Sequence, residues 1–263
     1  MWWCRRPRAS LDHMRSMPRN DPRQYDDLVT EWWRPAGTFA ILHWLAAARA
    51  ALIPPASGPG RVLVDAGCGG GLLAPHLRGK GYRHIGVDLR HAGLRQAAPR
   101  GMTAVNGDVT ALPLAARSAD VVVAGEILEH VTDLPGTVAE LCRVLRPGGL
   151  VVLDTINDTA LARLITVTLG ERFGVAPVGL HDPALFVPPR RLVAEFARHG
   201  VTLKVRGVRP SMRGLFRWLA LRREVSGRPI VPAPSTAVLY QGIGSKSLGI
   251  EGRDRYTRER HAG

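Results

Sequence analysis

The sequence predicts an α/β fold built on a doubly wound, mostly parallel sheet. Three observations predict it: short apolar runs alternate with helical segments from Arg61 to Asp154, a glycine-rich turn follows the first run directly, and an acid ends the second. At 263 residues the chain has room for one such domain with a sizeable core and short extensions at its ends.

Taken in order, residues 1–23 are rich in Arg and Pro without apolar periodicity and read as a disordered basic leader. A single domain is expected over 24–246. It opens on a helical cap from Tyr25 to Ile53, where Leu28, Trp32, Trp33, Leu42, Leu45 and Leu52 recur at amphipathic spacings. A Pro- and Gly-rich linker, 54–60, leads into the first strand at Arg61–Ala66. Strands follow at Ile85–Asp88, Thr103–Val105, Val121–Ala124 and Leu150–Asp154, with helices such as Leu72–Gly79 and Leu134–Leu145 between them. Residues 155–189 break the rhythm as an insertion after the fifth strand, a helix from Thr159 to Phe173 and then a Gly- and Pro-rich loop over the ligand-binding face. The alternation resumes with a helix at Arg190–His199, a strand at Val201–Val205 and a last strand near Thr236–Gln241, and residues 247–263 read as a flexible tail.

Composition excludes several classes. No stretch reaches the roughly 18–20 apolar residues of a membrane span. Cys4, Cys68 and Cys142 form neither a disulfide framework nor a zinc cluster, and the amino-terminal residues lack a secretory apolar core, so a cytoplasmic setting is expected. A net charge of +14 would suit nucleic acid or an anionic membrane surface. However, Lys80, Lys204 and Lys246 are the only lysines among 36 basic residues, a G- and C-rich coding bias explains the arginines, and no recognition module accompanies them.

The chemistry starts at Val64–Leu72, VDAGCGGGL. Gly67, Gly69 and Gly71 remove Cβ atoms where backbone must turn and a ligand must approach. A dinucleotide fingerprint is the rival, and it fails at Leu72, where the third glycine should stand. Asp65 would be unwelcome beside a pyrophosphate but suits an ammonium and a sulfonium. Asp88 ends the second strand, where a carboxylate accepts from both ribose hydroxyls, and Asp108 is placed to reach an adenine amino group. Together these residues point to S-adenosylmethionine. Cys68 is expected only to pack the loop.

With these residues in view, the chain resembles the ubiquinone-biosynthesis O-methyltransferases, within the class I, Rossmann-like methyltransferases, from about Tyr25 to Lys246. DAGCGGG and Leu145-Arg146-Pro147-Gly148-Gly149 are shared by many methyltransferases. More specific are Glu31-Trp32-Trp33, Phe39, Leu42-His43, Gly125-Glu126-Ile127-Leu128-Glu129-His130-Val131, His181-Asp182, Phe186 and Pro189. The resemblance implies that Arg49, Gly67, Asp88 and Gly125 contact the cofactor, Arg49 as partner of its carboxylate. Many members carry methionine at position 125, so Gly125 leaves a backbone contact at most.

Glu126, Glu129 and His130 are the sharpest cluster. Helical spacing would put them on one face, where they could hold a divalent cation that lowers a phenol's pKa, and the resemblance implies a magnesium-type site in some relatives. Alternatively His130 is a general base, or Glu129 and His130 only brace the fold. His181 is a second candidate base, substrate contact or loop brace. In the insertion, Leu161, Leu164, Ile165, Val167 and Leu169 among Arg163, Glu171 and Arg172 suit either a bilayer surface or core packing. The resemblance therefore implies methyl transfer to a phenol or catechol of a polyprenylated quinone precursor. The rivals are another small hydroxyl compound of secondary metabolism and a catalytically silent cofactor-binding partner.

Overall fold

The computed structural model describes residues 17–221, 223–225 and 227–248. Eight strands form one sheet: β1 (Val62–Ala66), β2 (Arg83–Asp88), β3 (Thr103–Asn106), β4 (Ala119–Gly125), β5 (Leu145–Ile156), β6 (Val201–Pro210), β7 (Ile230–Pro232) and β8 (Leu239–Lys246). Their order is β3-β2-β1-β4-β5-β8-β6-β7. The first five are parallel, and β8 runs antiparallel between β5 and β6. The order reverses on either side of β1, so the turns leaving β1 and β4 diverge and open a crevice at the carboxyl ends of the strands.

The central strands are apolar along their length because helices cover both faces. Val64, Val87, Val122, Ala124, Val151 and Leu153 are fully buried in the principal core. The cap consists of α1 (Gln24–Asp27), a short 3-10 turn and α2 (Ala40–Ala50). Further helices are α3 (Ala74–Leu77), α4 (His91–Ala97) and α5 (Leu134–Val144); Asp133 caps α5, accepting from Gly136 N at 2.9 Å. A helical segment, α6 (160–172), crosses the insertion and contains wide π turns, and α7 (Pro189–Arg198) leads into β6.

Several expectations shift. The 145–149 turn does not separate α5 from the fifth strand. β5 starts at Leu145 and detours there, since Ala119 pairs with Leu145 and Val121 with Leu150. The last strand lies at 239–246 rather than 236–241. Two elements went unforeseen, β7 and an amphipathic helix α8 (Met212–Leu221), whose Trp218 is buried against Trp44 of α2. Most of the expected leader and tail falls outside the described residues. Within them, residues 18–23 lie against the carboxyl edge of the sheet, where Asn20 N donates to Gly179 O at 2.9 Å.

Candidate active site

One cavity of about 910 Å³, at the upper end of the usual range for small-molecule sites, occupies the crevice. Its floor is the turn after β1. Gly67 and Gly69 have φ of +72° and +52°, where a side chain is strained, and a Cβ on Gly67 would meet Ile127 at 2.6 Å. The rings of the Glu-Trp-Trp segment pack over this turn: Trp32 lies on Gly69 and Gly70, and Trp33 Nε1 donates to Gly70 O at 3.0 Å. Gly71 faces away from the cavity, toward Ala97 and Met102, so its contribution is to the turn. Cys68 is buried and its thiol is pushed well up by burial, as a packing residue should be.

Asp88 stands at the end of β2 above the turn. Its Oδ2 accepts from Gly69 N and its Oδ1 from Arg90 N, both at 2.8 Å. Burial raises its pKa, against the opposing pull of those two amides. Asp65 is buried, lines the cavity and has His84 Nε2 3.6 Å from its Oδ2. Asp108 is exposed at the rim, with its Oδ1 accepting from Thr110 N and Oγ1 at 2.8 Å.

Arg49 reaches the cavity from α2 and pairs with the fully buried Asp154 of β5. Burial opposes its charge, but Asp154, Asp65 and Glu126 outweigh that and raise its pKa. Gly125 makes the pairing possible, because a Cβ at that position would overlap the guanidinium. A residue expected to offer a backbone contact at most thus provides the space in which Arg49 lies.

The cluster after β4 differs from the helical face expected of it. Glu126 adopts φ +52°, and only Leu128–His130 form a short 3-10 turn, so Glu126 turns away from the other two. Glu126 adjoins Asp154 and Arg49, and burial beside two other carboxylates raises its pKa well above the ordinary range. Glu129 accepts from Thr155 Oγ1 at 2.6 Å, and burial raises it to about 7. His130 lines the cavity and stacks on His181 with ring centroids 5.2 Å apart. Burial lowers His130 to about 3 and His181 to about 4, so both rings are neutral near pH 7.

Among the described residues, the side chains that converge within metal-ligand reach are Glu129, His130 and His181, whose candidate ligand atoms lie within 4.8 Å of one another. Glu126 is not of that group. Magnesium takes oxygen ligands, and two imidazoles with one carboxylate suit it poorly.

Sequence reasoning missed Asn20, Tyr25 and Asp154. Asp154 carried only the signal of an acid inside an apolar strand; Asn20 and Tyr25 carried none, since their roles depend on partners more than a hundred residues away.

The cavity fits an adenosyl sulfonium on its own chemistry. Each Asp88 oxygen retains a lone pair for a ribose hydroxyl, and Arg49 Nε is a buried donor with no protein partner, free for a carboxylate. Acids line the crevice where a pyrophosphate site would need donors, which leaves a class I S-adenosylmethionine-dependent methyltransferase. The methyltransferase domain family matches residues 64–153. A solved S-adenosylmethionine-dependent methyltransferase from Thermotoga maritima shares the fold with a TM-score of 0.62 at 19% identity, over 85% of this chain and 98% of that one. The ubiquinone biosynthesis O-methyltransferase of Cupriavidus pinatubonensis is 38% identical over 195 residues, 69% of this chain and 78% of the relative. That of Paraburkholderia phymatum is 35% identical over 207 residues, 73% and 88%. The chain belongs to the ubiquinone biosynthesis O-methyltransferase family.

Proposed function

We propose that the enzyme methylates a phenolic hydroxyl of a polyprenylated quinone precursor, with His130 as general base. The observation that carries this reading is the continuity of the cavity. It runs from Gly67, Gly69 and Asp88 past His130 to a mouth lined by Leu161, Ile165, Leu169, Phe173, Met212 and Leu219. A polar head can therefore sit at His130 while an apolar tail leaves between α6 and α8.

Bound S-adenosylmethionine supplies a methyl carbon made electrophilic by a positive sulfur. Asp88 and the glycine turn would hold the adenosyl end of the cofactor and Arg49 its carboxylate. Neutral His130 takes the hydroxyl proton at Nε2 as the oxygen–carbon bond forms and the carbon–sulfur bond breaks. The leaving thioether is neutral, so positioning and exclusion of water supply much of the rate. The apolar mouth provides that exclusion.

The mouth also bears on where the enzyme works. Leu161, Leu164 and Phe173 of the insertion are 47%, 47% and 61% exposed, and Met212 and Phe216 of α8 are 66% and 74% exposed. No helix among the described residues is long and apolar enough to cross a membrane. Exposed apolar groups set among Arg163, Arg172, Arg213 and Arg217 support peripheral contact with a bilayer that delivers the prenylated substrate.

The test is methyl transfer from labelled cofactor to a prenylated catechol, a short catechol, a phenol and bulk RNA, each with chelator and with magnesium. Preference for the prenylated catechol, undiminished by chelator, is expected. Transfer only to short acceptors would discard the quinone assignment. Activity lost in chelator and restored by magnesium, manganese or zinc would favour a metal on Glu129, His130 and His181, the second reading that their convergence supports.

A further inference from the structure

Asn20 lies ahead of the cap, 110 residues from His130 in sequence, and its side-chain amide makes two bonds to that one residue. Nδ2 donates to His130 O at 2.9 Å, and Oδ1 lies 2.5 Å from His130 Nδ1. A main-chain carbonyl can only accept, so the NH2 group must face it, and the amide oxygen must then face the ring. Two acceptors cannot bond each other, so the proton sits on Nδ1. Nε2 is left with its lone pair, and Tyr25 OH, itself a phenol, lies within hydrogen-bond distance of it at 3.3 Å.

The surroundings hold this arrangement. Asn20 has φ +60°, a left-handed conformation that asparagine tolerates better than most residues. Its neighbour Arg19 donates to both carboxylate oxygens of Glu171, at 2.7 and 3.0 Å, and to His181 O at 2.7 Å. Two adjacent residues thus fix the insertion and the His130 ring together.

We propose that Asn20 is a positioning residue for methyl transfer: by clamping His130 at ring and main chain it imposes the Nδ1–H tautomer and presents Nε2 to the acceptor hydroxyl. The protein's own phenol on Nε2 marks where the acceptor donates its proton. In the opposite tautomer Nε2 would carry a hydrogen and could not take one, so the clamp acts on turnover rather than on cofactor binding. This rests on the reading of His130 as base, and the experiment separates the two.

The full chain, labelled with 15N in its histidines, is compared as wild type, Asn20→Gly, Asn20→Asp and His130→Gln at pH 8. Glycine keeps the left-handed backbone and deletes the amide; aspartate keeps the acceptor for Nδ1–H. The ring 15N shifts of His130, assigned by their loss in His130→Gln, should report the Nδ1–H form in wild type and Asn20→Asp and a mixture in Asn20→Gly. In Asn20→Gly, kcat should fall about 10- to 100-fold with the KM for cofactor unchanged, and Asn20→Asp should recover most of it. A wild-type tautomer or undiminished kcat in Asn20→Gly overturns the proposal, as does an equal loss in Asn20→Asp, which would assign the effect to the main-chain bond. If His130→Gln keeps full kcat the base reading fails, whereas loss there with none in Asn20→Gly removes the clamp alone.

Discussion

The two ends of the cavity are built differently. At the cofactor end the decisive contacts are short in sequence: Asp88 accepts from Gly69 nineteen residues away, and Gly67 and Cys68 donate to Val87 O on the neighbouring strand. Where the two ends meet, Arg49 pairs with Asp154 across 105 residues, and at the acceptor end Asn20 meets His130 across 110 and Arg19 meets Glu171 across 152. The first end needs two adjacent parallel strands to form. The second needs the cap, the insertion and the β4 turn all docked, and the apolar mouth around it leaves side chains in solvent. A protein of this design can bind its cofactor on a rigid floor while acceptor specificity changes through distant segments.

The largest expected effect tests the cofactor end. Asp88→Ala should weaken S-adenosylmethionine binding by at least about 100-fold in calorimetry, because it removes the ribose acceptor and strands two main-chain N–H groups at once. Unchanged affinity would show that the ribose lies elsewhere. A smaller effect is expected where the two ends meet. Gly125→Ala should displace the Arg49 guanidinium from Asp154 and reduce cofactor affinity about 3- to 10-fold, with the acceptor KM little altered. If affinity holds, Arg49 does not carry the cofactor's carboxylate.

The smallest effect reads the acceptor end through stability. Burial lowers His181 to about 4 from the ordinary 6.5. The unfolded chain therefore binds the proton more readily in that interval, so the ring's contribution is intact above about pH 6.5 and is lost as pH falls toward 4. The melting temperature of the wild type should accordingly drop relative to His181→Gln by about 2–5 °C between pH 7.5 and pH 5. A constant gap across that range would mean that His181 is solvated in the folded protein.

The same division governs what was legible in the sequence. Strand alternation, the glycine turn and Asp88 could be read directly, because buried parallel strands and positive-φ turns leave compositional marks wherever they occur. The boundaries of β5 could not, since Pro147-Gly148 reads as a helix stop whether or not the strand detours through it. α8 stayed hidden because its apolar residues are split between a buried Trp218 and an exposed Phe216, a pattern that neither a core helix nor a loop predicts.

By itself, then, the sequence determined the five parallel strands and the glycine floor of the cavity, whose geometry follows from local backbone preference and adjacent strand pairing. Tertiary structure alone decided that Glu126 leaves the Glu129–His130 pair for Arg49 and Asp154, that His181 takes its place, and that Asn20 bonds the His130 ring. The physical reason is that a left-handed turn at Glu126 and the docking of segments more than a hundred residues apart are fixed by packing, which no local spacing encodes.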